Sequence, residues 1–167
     1  MDRERAFDAL FRANYPGLCR VATRILGSPA QAEELVQDLF LWVWERSPVI
    51  DDATPSRAYL YRAAHNGALN RLRHRRIERR WEEQQPIAEL ADPPAPADLE
   101  RDELLGAVRG AIERLPPRCR LVYTMSRQEG LTYQEIADAL DLSVKTVEAQ
   151  MARAFRLLRT ALAPHLM

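Results

Sequence analysis

The sequence predicts an all-α protein of two small helical domains joined by a flexible acidic linker. Three observations lead there. Apolar residues recur at helical spacing through nearly the whole chain, and no alternating strand segment appears. The periodicity lapses between Gln84 and Ala97 (QQPIAELADPPAPA), where proline and acid dominate. It then resumes and finishes, over Gly130 to Arg159, on two short helices around a tight turn. A chain of 167 residues suits one medium domain or two small ones. The expected spans are 1–81 for the first domain, 82–97 for the linker and 98–167 for the second.

The first helix is expected over about Arg3 to Ala13, with Phe7, Leu10 and Phe11 inward, broken by Pro16-Gly17. A second runs from about Leu18 to Leu26 on Leu18, Val21, Ala22 and Ile25. Gly27-Ser28-Pro29 stops it; Ser28 can cap the next helix, with Pro29 in its first position. That third helix, about Pro29 to Glu45, lines its core face with Ala32, Leu35, Val36, Leu39 and Val43. Trp42 is expected to finish the same core, and Trp44 is open between core and surface. A fourth long helix begins near Ser56 and reaches about Arg80. After the linker, Leu99, Leu104, Leu105, Val108, Ile112 and Leu115 point inward along the next helix. Pro116-Pro117 ends it and starts another, which carries Cys119, Val122 and Tyr123 and stops at Gly130.

The final pattern has a chemical reason for each boundary. Thr132 and Glu135 have the spacing of a capping box, in which two backbone N–H groups gain partners reciprocally. Leu131 and Ile136 sit where a hydrophobic staple closes. Ile136, Ala137 and Leu140 form the apolar face of the first short helix. Asp141-Leu142-Ser143 makes the turn, and Ser143 can cap the second helix. Val147, Met151, Ala154 and Leu158 recur at helical spacing and are expected to face the first. This is the form of a helix-turn-helix, whose second helix enters the DNA major groove. Its other face carries Lys145, Thr146, Glu148, Ala149, Ala152 and Arg153. Glu148 can accept from a cytosine amino group, and Ala149 or Ala152 can touch a thymine methyl. Lys145, Thr146 and Arg153 suit phosphates, which set register rather than sequence preference. The plain alternative is a helical hairpin with a solvated polar face.

Formal charges balance to zero, but they are segregated. Arg71 to Arg80 (RLRHRRIERR) holds six arginines against one glutamate, whereas Trp81 to Glu103 holds eight acidic residues against one arginine. Blocks of opposite sign near a DNA-reading element are more than a solvated face. The opening residues, MDRERAFDAL, contain no signal-peptide core, and no apolar run is long enough to span a bilayer, so a cytoplasmic protein is expected. Cys19 and Cys119 are isolated among apolar residues and read as buried thiols. His65, His74 and His165 lack ligand spacing. With no P-loop, dinucleotide fingerprint or nucleophile elbow, neither an enzyme nor a cofactor or metal is expected.

Longer stretches carry a family resemblance. Leu115-Pro116-Pro117-Arg118-Cys119-Arg120, then Ser126 to Ala137 (SRQEGLTYQEIA), Ser143 to Glu148 (SVKTVE) and Arg153-Ala154, resemble the C-terminal domain of small bacterial RNA polymerase sigma factors of the extracytoplasmic-function group. Ala32 to Phe40 (AEELVQDLF) resembles that group's polymerase-binding helix. Tyr59 to Asn66 (YLYRAAHN), followed by Arg71-Leu72-Arg73, resembles its promoter −10 segment. The resemblance implies a region 2-like first domain and a region 4-like second domain. It also implies a function: core RNA polymerase is joined and directed to a −10 and a −35 promoter element. Glu34, Gln37, Asp38 and Leu41 would meet the clamp-helix coiled coil of the polymerase large subunit. Tyr59, which stands where the family usually has tryptophan, would join Arg62, Asn66, Arg71, Arg73, Arg75 and Arg76 at the opened −10 DNA. Asn66 matches the position that holds a flipped base; alternatively it caps or interrupts the helix beside Gly67. Tyr61 is expected in the core, and Trp81 stands open. The linker would either mimic nucleic acid in polymerase channels or act as a plain spacer. An anti-sigma factor is the expected inhibitor. Two other readings remain: a stand-alone helix-turn-helix regulator that binds an operator without polymerase, and a helical adaptor that never touches DNA.

Overall fold

The computed structural model describes residues 2–46, 55–81 and 101–165, and all the regular structure among them is helical. The elements are α1 (Arg3–Leu26), α2 (Pro29–Arg46), α3 (Arg57–Trp81), α4 (Arg101–Glu113), α5 (Pro117–Tyr123), α6 (Tyr133–Leu140) and α7 (Val144–Leu162). A π-helical turn, Thr124–Gln128, follows α5, and a 3-10 turn, Ala163–His165, follows α7. The expected linker, 82–97, and Leu99 lie outside the described residues. The chain divides into two compact units, one built on α1–α3 and the other on α4, α5 and α7.

In the first unit α1 packs on both α2 and α3. The expected break at Pro16-Gly17 does not occur: α1 runs unbroken through Pro16. The reason is which side the ring occupies. Pro16 is exposed, and its missing N–H leaves only the carbonyl of exposed Arg12 to water. Gly17, Leu18, Val21 and Ala22 lie buried just beyond it. An interior proline costs about 3 kcal/mol, and each fully buried valine or leucine returns about 1.5–3 kcal/mol. Tertiary packing therefore carries the helix through. Gly27, at φ 73°, ends α1 and donates its N–H to the Thr23 carbonyl at 2.7 Å. Ser28 caps α2 through the Gln31 N–H at 3.3 Å.

The core stripe of α2 is Ala32, Val36, Phe40 and Val43. Leu35 and Leu39, expected inside, are half-buried, and Phe40 takes the central position. Trp42 is not a core residue: it is 45% exposed, because a stripe centred on Val36 and Val43 turns the adjacent position away. Trp44 is half-buried and meets Phe7 edge-on at 5.0 Å, with the Arg3 guanidinium 4.1 Å over its ring. On α3, Leu60, Tyr61, Ala64 and Ala68 are buried. Gly67 allows α2 and α3 to approach, since a Cβ there would stand 2.8 Å from Leu35 Cδ1. As α3 continues through Gly67, Asn66 neither caps nor interrupts it.

In the second unit α7 packs chiefly on α5 and α4. Ala111, Ile112, Leu115 and Cys119 form one cluster with Ala154 and Leu158. The lower half of the α7 stripe, expected to face the first helix of the helix-turn-helix, thus serves α4 and α5. Leu104 and Leu105, expected inward, are 45% and 50% exposed. Only from Val108 onward does α4 have the cluster to lie against. Cys119 is buried and its thiol donates to the Gln150 carbonyl at 3.4 Å. Burial pushes that thiol pKa up, so it stays protonated and unreactive. Cys19 is half-buried, and burial raises its pKa too.

Candidate nucleic-acid interface

The helix-turn-helix is built from hydrogen bonds local in sequence. The Thr132 N–H donates to Glu135 Oε1 at 3.0 Å and the Glu135 N–H to Thr132 Oγ1 at 3.1 Å, a complete capping box. Leu131 and Ile136, the staple pair, are both buried. Upstream, the π turn closes with the Glu129 N–H on the Thr124 carbonyl and the Leu131 N–H on the Met125 carbonyl, and Gly130 supplies φ 72°. At the far end of α6, Asp141 adopts φ 56° and the Leu142 N–H reaches the Ala137 carbonyl at 2.9 Å. That six-to-one bond with a left-handed residue inside it is a Schellman cap. Ser143 then caps α7 by accepting the Thr146 N–H at 3.1 Å. Within α6, Ile136, Ala137 and Ala139 are buried, and Leu140, expected inside, is half-buried.

On α7, Val147, Met151, Ala154 and Leu158 are buried, so the opposite face is presented outward. Lys145, Glu148, Ala149, Ala152 and Arg153 are all exposed. Thr146 is half-buried, and its hydroxyl shares a 2.8 Å hydrogen bond with Ser143 Oγ, which engages it in the cap. The exposed set starts in the first turn, where a recognition helix meets base edges.

A second exposed polar face lies on α3. Tyr59, Arg62, Asn66, Asn70, Arg73 and Arg76 are exposed and recur at steps of three or four along one side. Ser56 caps this helix through the Tyr59 N–H at 3.1 Å. Two arginines grouped with them in the sequence are occupied within the unit. Arg75 donates to the Leu26 carbonyl at 3.3 Å, closing the C-terminus of α1. Arg71 is paired with Asp38 at 3.2 Å and Glu34 at 3.9 Å, and it also donates to the Gln31 carbonyl.

Asp38 and Glu34, expected to meet a basic coiled coil, therefore already hold one cation. Gln37 donates to the Tyr15 hydroxyl at 3.3 Å. Leu41 is 55% exposed. Together with Gln37 it borders an open groove of about 530 Å³ between α1 and α2, floored by Phe7, Phe11, Phe40 and Trp44 and edged by Glu4 and Asp8. Sequence reasoning missed this groove and the exposure of Trp42. Phe7 and Phe11, one turn apart on α1, were its only signal. A helical wheel centred on Val36 and Val43 would have turned Trp42 outward.

Among the described residues no cluster of His, Cys, Asp or Glu could hold a metal, and no helix is long and apolar enough to cross a membrane. The sigma-70 region 2 profile matches residues 10–77 and the sigma-70 region 4 profile residues 105–158. The chain is 32% identical over 164 residues to the ECF RNA polymerase sigma factor SigL of Mycobacterium tuberculosis, covering 92% of this chain and 89% of SigL. It is 30% identical to the ECF RNA polymerase sigma factor SigE of Mycolicibacterium smegmatis over 96% of this chain, but spans only 63% of SigE. The structure of the sigma factor RpoE of Bartonella quintana, solved with the anti-sigma factor NepR, has the same fold, with a TM-score of 0.70 at 21% identity and coverage of 94% of this chain and 96% of RpoE. Two sigma-70 regions in their proper order, and a relative matched along nearly its full length, identify the chain as a member of the sigma-70 family of RNA polymerase sigma factors, in its ECF group.

Proposed function

We infer that the chain is a transcription initiation factor that binds core RNA polymerase and directs it to a promoter with −10 and −35 elements. It performs no chemistry of its own; the polymerase makes the RNA. The observation that carries this reading is the pairing, in one chain, of an exposed α7 recognition face with a separate exposed Arg/Asn/Tyr face on α3. A stand-alone operator binder needs only the first. In this reading the region 2-like domain covers 1–81, the linker 82–97 and the region 4-like domain 98–167.

Lys145 and Arg153 hold phosphates of the −35 duplex, while Glu148, Ala149 and Ala152 read base edges. Thr146 acts mainly by capping α7. On α3, Arg62, Arg73 and Arg76 hold the −10 backbone, and the Asn66 amide, which can both donate and accept, takes the edge of an unpaired base. Arg75 supports this face structurally. Glu34, Gln37, Asp38 and Leu41 meet the polymerase clamp helices, with Leu41 as apolar anchor beside the aromatic groove and the carboxylates as a polar rim. An anti-sigma factor that covers these faces is the expected inhibitor, in keeping with the RpoE–NepR complex of the same fold. The chain itself acts in the cytoplasm in this reading.

The test is reconstitution. Purified chain is added to core polymerase on templates taken from start sites mapped after its overexpression. Initiation that requires both components and both upstream elements is the expected result. Tight operator binding with no effect on initiation would overturn the reading.

A further inference from the structure

One guanidinium ties α3 to α2 in the first unit. Arg71 reaches from α3 to three acceptors on α2, spread over two turns. Its Nη2 meets Asp38 Oδ2 at 3.2 Å, and its Nη1 meets Glu34 Oε2 at 3.9 Å and the Gln31 carbonyl at 3.3 Å. Arg71 takes one oxygen of each carboxylate. The side chains of Asp38 and Glu34 remain 64% and 69% exposed. Ion pairs this open add little to stability. Nor does Arg71 lie on the DNA-facing stripe of α3: it is five residues beyond Asn66, about 140° round the helix from it.

We propose that Arg71 is a positioning residue for the polymerase interface: it holds Asp38 and Glu34 in the outward geometry that meets the clamp helices. The proposal rests on the polymerase-binding role given above and deepens it. Glu34 and Asp38 stand one turn apart on α2 and repel each other when unpaired. Loose carboxylates of this kind must be ordered on docking, at an entropic cost. A guanidinium offers a separate nitrogen to each of them in a planar fork, so both are ordered beforehand. The charge of Arg71 opposes an incoming cation only weakly, because the carboxylates face water, where such repulsion is small and screened by salt. Ordering therefore outweighs repulsion. Gln37 shows the same arrangement on the neighbouring flank of α2: its amide donates to the Tyr15 hydroxyl of α1 at 3.3 Å. Each polar member of the polymerase-facing set is thus held by another helix of its own unit. In this role Arg71 touches neither DNA nor polymerase; it acts through the two carboxylates.

The experiment titrates the full chain against core polymerase. Arg71→Ala and Arg71→Lys are each made in the unaltered chain and in a chain that already carries Glu34→Gln and Asp38→Asn. In the unaltered chain Arg71→Ala is expected to weaken polymerase affinity about five-fold, mainly through faster dissociation, with little change in unfolding midpoint. Arg71→Lys should recover part of the loss, because one ammonium lacks the fork. Where both carboxylates are already neutral, Arg71→Ala should add no further loss. Holoenzyme formed at saturating concentration should bind a pre-opened −10 template with an unchanged salt slope. The proposal is overturned if Arg71→Ala leaves polymerase affinity unaltered or raises it, or if its loss is as large with the carboxylates neutral. It is equally overturned if the salt slope on the template falls by about one, which would make Arg71 a phosphate contact. If Arg71→Ala lowers the unfolding midpoint, Arg71→Lys decides: a loss of affinity that vanishes with neutral carboxylates supports the proposal, and unaltered affinity overturns it. Failure of the unaltered chain to bind core polymerase would instead defeat the underlying reading and this proposal with it.

Discussion

The helix-turn-helix and the three-helix unit cap their helix N-termini alike but close their helix C-termini differently. Around α6 and α7, each capping side chain and its partner are three residues apart: Thr132 with Glu135, and Ser143 with Thr146. In the α1–α3 unit the N-terminal caps are equally local, Ser28 with Gln31 and Ser56 with Tyr59, but two carbonyls at helix C-termini take partners from distant sequence. Arg75 of α3 satisfies the Leu26 carbonyl at the end of α1, and Arg3 of α1 donates to the Trp44 carbonyl near the end of α2. Each is a cation at a helix C-terminus, where the exposed carbonyls and the dipole favour it. The difference teaches where function can be read directly. On α7, closed by its own Ser143, the charged Lys145, Glu148 and Arg153 stay exposed. Helices closed by one another use some of their arginines as structure.

That contrast can be broken, first, in the cores. Met151 in α7 and Leu60 in α3 are fully buried, so Met151→Ala and Leu60→Ala should each cost about 2–5 kcal/mol in denaturant unfolding. A loss under 1 kcal/mol at either would mean that its unit is not packed as described. Next comes Pro16. If tertiary packing carries α1 through it, Pro16→Ala should stabilise the α1–α3 unit by up to about 3 kcal/mol. No gain, with unchanged helical content, would indicate that the chain does break there. Removing the local caps is a smaller perturbation: Thr132→Ala and Ser143→Ala should each cost about 1 kcal/mol. Their losses should be additive only in part, since both flank α6. The smallest effect is at Arg71. Its pairs with Asp38 and Glu34 are largely exposed on the carboxylate side, so Arg71→Ala should change stability by no more than about 1 kcal/mol. A much larger loss would make Arg71 a structural residue like Arg75.

The same contrast explains what the sequence disclosed. The capping box, the Ser28 and Ser143 caps and the proline start of α5 are local chemistry, and each was legible from spacing alone. The exposed α7 face followed from its apolar stripe. Pro16 misled because a helix breaker was weighed without Leu18, Val21 and Ala22, whose burial depends on α2 and α3. Leu104 and Leu105 misled for the converse reason: periodicity continued beyond the packed part of α4. The basic run read as one DNA-facing block, yet Arg71 and Arg75 are turned to Asp38 and Leu26, partners more than thirty residues away. Trp42 looked like core by residue type, whereas its place on the helix turns it toward Tyr59.

The most direct measurement of the central claim is promoter footprinting by the full chain, with and without core polymerase, across a range of salt. The account predicts protection of both upstream elements only when polymerase is present, with weak, salt-sensitive binding in its absence. Lys145→Glu and Arg153→Glu should weaken the −35 footprint and lower the salt slope by about one each. An equally tight footprint from the chain alone, unaffected by polymerase, would contradict it.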